Sequence, residues 1–310
     1  MPAKIAIDWL NACAGCEISI IDMGPRLLTV LDLVEFVHLP ALMDHKYFNQ
    51  MGDGAHITMP EAAVGIITGS IRNEEHLEVA LEMRKKCGAI IAMGTCATHG
   101  GIPALCNSYT TEQILDRYYS TETTDPHDER PSDGLPGLLD ACYAVDEKID
   151  VDILLPGCPP HSDQVFETLV AFLEGRPAVL RDKSVCDTCP TTREGKGKVK
   201  QLRRYLQAPE YDKVNDGIDK MRCLLEQGLL CMGPVTKAGC CGNEGDPRCI
   251  SARVPCRGCY GPVEKDGNQR LDMLNALVSN GIDIASLPET SSMLRFTGAH
   301  GMLRPGGGRL

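Results

Sequence analysis

The stretch GAIIAMGTCATHGG, residues 88–101, begins with a short run of almost continuous apolar residues and then changes abruptly to glycine, threonine and cysteine. Runs of this kind are typical of parallel strands that are covered on both faces, because neither face then needs polar side chains. Four further apolar runs of similar length occur elsewhere in the chain, at residues 4–10, 35–39, 62–70 and 151–157. The pattern therefore predicts a sheet that is covered on both of its faces.

Helical patterns lie between the apolar runs. The two clearest cover residues 73–88 and 162–175, where Asn73 and Ser162 are candidate N-caps and a glycine ends each pattern. Strands that alternate with helices indicate a doubly wound parallel sheet. We therefore predict that residues 1–182 form an α/β domain of flavodoxin-like type, with residues 107–148 as an irregular insertion.

The chain changes character after residue 182. Strand-like runs disappear, while cysteine, glycine and proline become frequent. Such a segment has few residues with which to build an apolar core and is expected to need metal to hold it together. We predict an irregular, cysteine-rich domain at 183–275 and a C-terminal extension at 276–310.

Composition limits the function. The 310 residues carry a net charge of −11, which argues against a nucleic-acid partner, and no apolar run is long enough for a membrane span. The N-terminal residues show no twin arginine and no long apolar segment, so we expect a cytoplasmic protein. In a reducing compartment the 16 cysteines are more easily explained as metal ligands than as disulfides.

Four cysteines directly follow predicted strands. Cys13 and Cys16 come after the first run, Cys96 comes after the quoted run, and Cys158 follows the run at 151–157. The carboxyl ends of parallel strands share one edge of the sheet, so these thiols are expected to converge there. Glycines accompany each group and allow backbone N–H groups to approach sulfur; they are Gly15, Gly94, Gly100, Gly101 and Gly157. Four thiolates suit either zinc or a [4Fe–4S] cluster.

Eight more cysteines lie in the second domain, and two C-x-x-C pairs stand among them. They are Cys186, Cys189, Cys223, Cys231, Cys240, Cys249, Cys256 and Cys259. Two sets of four predict two further metal centres. Zinc remains the alternative, but no histidine is interleaved with the pairs, and three sets of thiols suit a chain of redox centres better than three structural zinc ions.

The motifs CAGCE, GTCATHGG, PGCPP, CMGP and PCRGCYGP resemble those of nickel–iron hydrogenase small subunits. The resemblance extends over most of the chain and is strongest to the cytoplasmic methyl-viologen-reducing (F420-non-reducing) and F420-reducing branch. It implies three [4Fe–4S] clusters, with these ligands: proximal Cys13, Cys16, Cys96 and Cys158; distal Cys186, Cys189, Cys223 and Cys231; medial Cys240, Cys249, Cys256 and Cys259.

The resemblance also implies an electron-transfer role. The family's large subunit holds the nickel–iron site that oxidises or forms H2, so this chain is expected to bind no nickel. It would relay electrons between that site and an acceptor subunit of flavin or ferredoxin type. Cys186 stands where periplasmic relatives have a distal histidine, and Cys249 stands where they have a proline, which favours a four-iron medial cluster at low potential.

Two other functions remain open on the sequence. One is a structural zinc protein on a flavodoxin-like scaffold. The other is an iron–sulfur subunit of a respiratory-complex-like oxidoreductase. That subunit typically has adjacent cysteines in its first motif and no cysteine-rich second domain, so CAGC and residues 186–259 argue against it.

Several further residues have two interpretations each. Glu17 is either part of a proton route or a local hydrogen-bonding carboxylate, and Cys241 could replace Cys240 as a ligand. We expect Trp9 to pack in the core and His99 and His161 to be loop histidines without a role at the clusters. Packing is also expected for Cys87, Cys106 and Cys142. The basic stretch 193–204 is interpreted as a solvated surface, with docking of an acidic electron acceptor as the alternative.

Overall fold

The computed structural model describes residues 2–40, 42–44, 47–48, 53–121, 130–131, 133–195, 199–203, 217–287 and 289–306. Its strands are Ala3–Trp9 (β1), Val34–His38 (β2), Ala62–Thr68 (β3), Ile71–Asn73 (β4), Cys87–Met93 (β5), Leu138–Tyr143 (β6) and Ile153–Leu155 (β7). Five of them form a parallel sheet in the order β2-β1-β3-β5-β7. This is the flavodoxin-like strand order, so the predicted fold class is confirmed.

The first six helices surround the sheet and its connections. They are Gly15–Ile21 (α1), Arg26–Leu33 (α2), Glu74–Lys86 (α3), Thr95–His99 (α4), Thr111–Tyr119 (α5) and Ser162–Leu173 (α6). One apolar cluster packs Ile20 of α1 and Leu169 of α6 against one face of the sheet. A second cluster packs Met83 of α3 against the other face.

Alternate residues of each central strand enter the two clusters. In β5, Ile91 and Met93 belong to one cluster, while Ile90 and Ala92 belong to the other. All four are buried. The continuous apolar run in the sequence therefore reflects burial of both faces.

The cap of α3 follows the prediction, whereas that of α6 does not. The Asn73 side chain accepts a hydrogen bond from the His76 N–H at 2.8 Å. At α6 the N-cap is His161 rather than Ser162: the Nδ1 atom of His161 accepts from the Asp163 N–H at 3.2 Å. An unprotonated imidazole nitrogen can satisfy a first-turn N–H just as a hydroxyl does.

The predicted irregular insertion contains regular structure. Helix α5 begins with a capping box between Thr110 and Gln113, and β6 pairs antiparallel with β4. None of the α5 residues is buried, which is why the segment shows no apolar periodicity that the sequence could have revealed. The pairing with β4 ties the insertion to the edge of the main domain.

The described part of the chain after residue 182 has no extended strand, only isolated bridges, 3-10 turns and two helices, Arg248–Ser251 (α7) and Gln269–Ser279 (α8). It nevertheless contains an apolar cluster, formed by buried side chains such as Met221, Leu224 and Met273. The expectation that this segment has few residues for an apolar core was wrong, because the core residues lie in turns, such as Leu224 and Leu225, and in a helix, such as Leu277 of α8, rather than in strand-like runs. The predicted limit at residue 275 lies within α8, and the domain limits remain predictions.

Candidate metal centres

The edge of the sheet where β1, β5 and β7 end brings the first four cysteines together. Cys13 lies in the loop after β1, Cys16 lies in the first turn of α1, and Cys96 lies in the first turn of α4. The pKa of the Cys16 thiol is raised by burial and then by Glu17, Cys96, Cys158 and Cys13, whose negative charges would lie close by. The pKa of Cys96 is raised to about 12, again first by burial and then by Cys158 and Cys13.

Glycine is required beside these sulfurs. A Cβ atom at Gly101, where φ is +56°, would lie 2.5 Å from the Cys96 Sγ. A Cβ atom at Gly94 would collide with the Cys16 Sγ. The absence of side chains at these two positions leaves the space around the sulfurs open to a bound group and to backbone N–H donors.

Glu17 lies behind this edge and is 7% exposed. The Thr68 hydroxyl, at the end of β3, donates to Glu17 Oε1. The other carboxylate oxygen, Oε2, is buried without a hydrogen-bond partner in the described part of the chain. Glu17 therefore makes the local hydrogen bond that was one of its two predicted roles. Its other predicted role, as part of a proton route, stays a prediction.

Cys186, Cys189, Cys223 and Cys231 line a single cavity of about 470 Å³. Burial raises the pKa of both Cys186 and Cys231 to about 12, and neighbouring thiols add to the effect at Cys186. Thr191, which sequence reasoning did not single out, places its hydroxyl 3.1 Å from the Cys189 Sγ. Its position two residues after the C-x-x-C pair is the only feature of the sequence that could have indicated this contact.

The remaining predicted set, Cys240, Cys249, Cys256 and Cys259, lines a second cavity of about 160 Å³. Cys158 of the first set lines the same cavity. The Cys256 N–H donates to the Cys231 Sγ at 3.3 Å, so this set also touches the one formed by residues 186–231. The three sets of thiols are therefore contiguous, with the set at 240–259 in the middle.

Tyr260 joins the middle cavity to the sheet and was not predicted. Its ring is buried and lines the cavity, and its hydroxyl accepts a hydrogen bond from the His161 N–H at 2.7 Å. The Thr95 hydroxyl donates to the Cys259 carbonyl at 2.5 Å, which makes a second connection. Only the position of Tyr260 directly after a predicted ligand could have indicated it.

The adjacent cysteines Cys240 and Cys241 face different surroundings. Cys240 lines the middle cavity, whereas Cys241 is buried with its Sγ 3.7 Å from the Gly242 carbonyl oxygen and 4.0 Å from the Thr188 hydroxyl. This favours Cys240, the ligand that the resemblance implies.

The other cysteines and the histidines mostly occupy packing positions. Cys87 is buried as the first residue of β5. The Thr98 hydroxyl lies 2.8 Å from the His99 Nδ1, and burial lowers the pKa of His99 to about 4. Trp9 is 46% exposed at the end of β1, so its predicted core position was wrong. The run of strand residues ends at the sheet edge, and Trp9 already lies outside the packed layers.

The basic stretch 193–204 is only partly described. Lys196, Lys198 and Arg204 lie outside the described residues. Arg193 is not simply a solvated charge, because its guanidinium donates to the Cys186 carbonyl at 2.8 Å. The docking role of this stretch remains a prediction.

Two features are missing from the part of the chain that the structure describes. Among those residues, no three or more His, Cys, Asp or Glu side chains are grouped closely enough around one point to hold a single metal ion. No described helix has both the length and the apolar character needed to cross a membrane.

Comparison with known proteins identifies the class. A family model described as the 20 Kd subunit of NADH ubiquinone oxidoreductase matches residues 13–172, which is more than half of the chain. The matched segment contains every strand of the sheet except β1, and it contains the four edge cysteines. The class is therefore that of oxidoreductase subunits built on this domain.

Other similar proteins identify the family within this class. One subunit of the F420-non-reducing hydrogenase of Methanothermobacter marburgensis is 37% identical over 89% of this chain and 84% of its own length. A chain of an NAD+-reducing [NiFe]-hydrogenase structure is 31% identical, with a TM-score of 0.53, and covers 58% of this chain and 96% of its own. A nickel–iron–selenium hydrogenase chain from Desulfomicrobium baculatum shares the fold over 86% of this chain and 96% of its own, with a TM-score of 0.51 at 20% identity.

The chain belongs to the family of small subunits of nickel–iron hydrogenases, on the F420-non-reducing branch. The resemblance stated from the motifs is confirmed.

Proposed function

We propose that this chain relays electrons through three [4Fe–4S] clusters between the nickel–iron site of a large subunit and an acceptor subunit of flavin or ferredoxin type, in the cytoplasm. The observation that carries the proposal is the contiguity of the three sets of thiols. Cys158 borders the middle cavity, and Cys256 donates to a sulfur of the set at 186–231. A continuous series of redox centres needs such an arrangement, whereas independent structural sites do not.

The residues present fit the proposed clusters. Each set offers four thiols, and the glycines at 94 and 101 keep side chains away from two of the sulfurs. When bound, such clusters supply one-electron storage at potentials set by their charge and hydrogen bonds. The chain contributes backbone donors and largely buried walls that exclude water. The burial that raises the pKa of the ligand thiols also means that the bound iron must displace their protons.

Zinc fits the geometry less well. Four sulfurs around one zinc, each at about 2.3 Å from the ion, lie within roughly 4 Å of one another. The four thiols at 186–231 instead line, together with other residues, a cavity of about 470 Å³. This space is larger than a single ion needs, which supports a multi-iron group.

A respiratory-complex-like role is also less well supported. The family model that carries that name stops at residue 172, before eight of the twelve predicted ligands. The hydrogenase relative matches 89% of the chain. The cysteine-rich region therefore favours the hydrogenase alternative.

The test is anaerobic purification of the full chain together with its large subunit. We expect about twelve irons per chain, a brown colour, and electron paramagnetic resonance signals of reduced clusters after exposure to H2. Cys240→Ser should lower the iron content by at least about one iron and change the signal of one cluster, since serine is a poorer ligand than thiolate for iron. Its matched control, Cys241→Ser, should leave both unchanged.

A colourless, zinc-containing protein would disprove the proposal. A brown protein with about four irons per chain would restrict the proposal to a single cluster in the sheet domain. If H2 reduces no cluster while dithionite reduces all of them, the proposed connection to a nickel–iron site is wrong.

A further inference from the structure

The segment that follows the C-x-x-C pair is held against the loop that carries Cys223. The Thr192 N–H donates to the Met221 carbonyl at 2.9 Å, and the Cys223 N–H donates in turn to the Thr192 carbonyl at 2.8 Å. These two bonds form an isolated parallel bridge. The backbone directly after Thr191 is thus fixed by hydrogen bonds to a segment that carries another predicted ligand.

The side chain of Thr191 faces the cavity that the four thiols at 186–231 line. Its hydroxyl oxygen lies 3.1 Å from the Cys189 Sγ. Thr191 is only 8% exposed, so water competes little for the hydroxyl. In the described part of the chain this hydroxyl has no other hydrogen-bond partner. Its proton is therefore available to the sulfur.

The charge of the sulfur decides the direction of this hydrogen bond. In a free thiol either atom can donate. A cysteine that binds iron has lost its proton and can only accept, so the Thr191 hydroxyl is then the donor. A hydrogen bond to an ionised acceptor is roughly twice as strong as one to a neutral acceptor. The bond therefore strengthens as the sulfur gains negative charge.

We propose that Thr191 raises the reduction potential of the iron–sulfur cluster bound by the thiols at 186–231. This inference rests on the proposed function, since it needs a cluster at these four thiols. On reduction one electron is taken up, no covalent bond forms or breaks, and the Thr191 hydroxyl keeps its proton. Part of the added charge lies on the ligand sulfurs, so the hydrogen bond to Cys189 stabilises the reduced state more than the oxidised state.

The position of this set gives the effect a role in the relay. The set at 240–259 lies in the middle, so the set at 186–231 lies at the end away from the sheet. A raised potential at this end draws electrons from the middle centre. Thr191 thus favours the transfer of electrons away from the sheet edge and opposes their return.

Thr192 provides a control of the same residue type at the next position. Its hydroxyl donates to the Asp219 carbonyl at 2.7 Å rather than to a sulfur. Thr192→Val therefore removes the same group from the same segment and keeps the hydrogen bond to Cys189. Thr191→Ser is the second control, because serine keeps a hydroxyl at the position that the inference concerns.

The experiment is a redox titration of the anaerobically purified complex, followed by electron paramagnetic resonance after the iron content has been measured. In Thr191→Val we expect one of the three midpoint potentials to become more negative. At the wild-type midpoint, the ratio of reduced to oxidised cluster should fall roughly fivefold, the effect of losing one ordinary hydrogen bond. Thr192→Val and Thr191→Ser should titrate like the wild type.

Iron content separates failure of this inference from failure of the proposed function. A wild-type complex without iron at the thiols of 186–231 would contradict both. Full iron content with three unchanged midpoints in Thr191→Val would overturn the inference alone. An equal shift in Thr192→Val would also overturn it, because the effect would then not depend on the contact with the sulfur.

A second variant covers the case in which Thr191→Val does not take up its iron. Thr191→Ala also lacks the hydroxyl, and its side chain is smaller than that of threonine. The same negative shift in Thr191→Ala would support the inference. If Thr191→Ala also lacks iron at this set, Thr191 is needed to hold the cluster rather than to set its potential, and the inference is wrong.

Discussion

The two halves of the molecule hold their predicted ligands in different ways. The four edge cysteines extend from a sheet with an apolar cluster on each face. One cluster contains Cys87, which is not a predicted ligand, and the other has one predicted ligand, Cys16, packed against it. In the second half, the apolar cluster itself includes predicted ligands, since Cys231 and Cys256 are buried members of it. We therefore expect the sheet to fold largely without metal, whereas in the second half two predicted ligands are buried members of the core.

This difference has a thermodynamic consequence. Where ligands are also core residues, the free energy of metal binding contributes directly to folding, because the unfolded chain has no preformed site. Where ligands project from a completed sheet, metal loss leaves the hydrogen bonds of the strands and both apolar layers intact. The contrast between the halves can be tested from each side.

Iron removal should give the largest effect. We expect chelation under anaerobic conditions to abolish hydrogen-exchange protection in the described parts of 183–275, while β1, β3 and β5 remain protected. The measurement is exchange followed by mass spectrometry of peptides from both halves. Equal loss of protection in the two halves would show that the sheet also depends on metal.

A single methyl group should produce a smaller effect, confined to the sheet edge. Gly101→Ala places a Cβ atom 2.5 Å from the Cys96 Sγ and is expected to remove the edge cluster, which is about one third of the iron. Gly175→Ala is the matched control, because φ is similarly positive at +66° but nothing lies within 4 Å of the added atom. The control should cost only the backbone strain, about 1 to 2 kcal/mol, with full iron content.

Both variants would be measured by iron content and thermal unfolding. If Gly101→Ala retains all its iron, the sheet edge can rearrange around the added methyl group. The edge site would then not be held rigidly by the sheet, contrary to the contrast drawn between the two halves.

The smallest effect concerns a contact between the C-terminal segment and the main domain. The His300 Nε2 lies 2.8 Å from Asp146 Oδ1, and this hydrogen bond raises the pKa of His300. His99, Glu147 and Lys265 also face the pair. A raised pKa in the folded state gives stability that is complete below the pKa of an unfolded-chain histidine, about 6.5, and is lost as the pH rises through the folded value.

His300→Asn should therefore lower the thermal midpoint more at pH 6 than at pH 8.5. Asparagine tolerates the positive φ of +52° at this position. The contribution should stay below about 1 kcal/mol, because the pair is partly exposed and screened by solvent. His56→Asn, at an exposed position, is the control. If His300→Asn lowers the thermal midpoint by the same amount at pH 6 and pH 8.5, the imidazole acts by packing rather than by charge.

The sequence revealed the sheet more fully than the second half, for a physical reason. Residues 90–93 of β5 are buried on both faces of the sheet, and the continuous apolar run in the sequence is a direct consequence of that burial. The second half has no comparable apolar run in its sequence. Its core residues Met221, Leu224 and Met273 come together only through the tertiary fold. Its cysteines could nevertheless be grouped into two sets from the sequence, because cysteine spacing is a local pattern, and the structure places each set around one cavity.

Contacts between distant residues were the hardest to foresee. The pairing of β4 with β6 has no local pattern in the sequence. The exposure of Trp9 depends on where the strand leaves the sheet, which the apolar run does not mark. The edge cysteines were predictable because parallel strands impose a common end on residues far apart in the chain.

The hydrogen bond from the Cys256 N–H to the Cys231 Sγ makes one peptide group common to two of the proposed clusters. A sulfur that gains negative charge becomes a stronger acceptor. If Cys231 and Cys256 bind different clusters as proposed, reduction of the cluster at Cys231 would strengthen this bond and would draw the Cys256 peptide toward it. The two clusters would then be coupled through the backbone as well as by charge, and a redox titration of either one would depend on the state of the other.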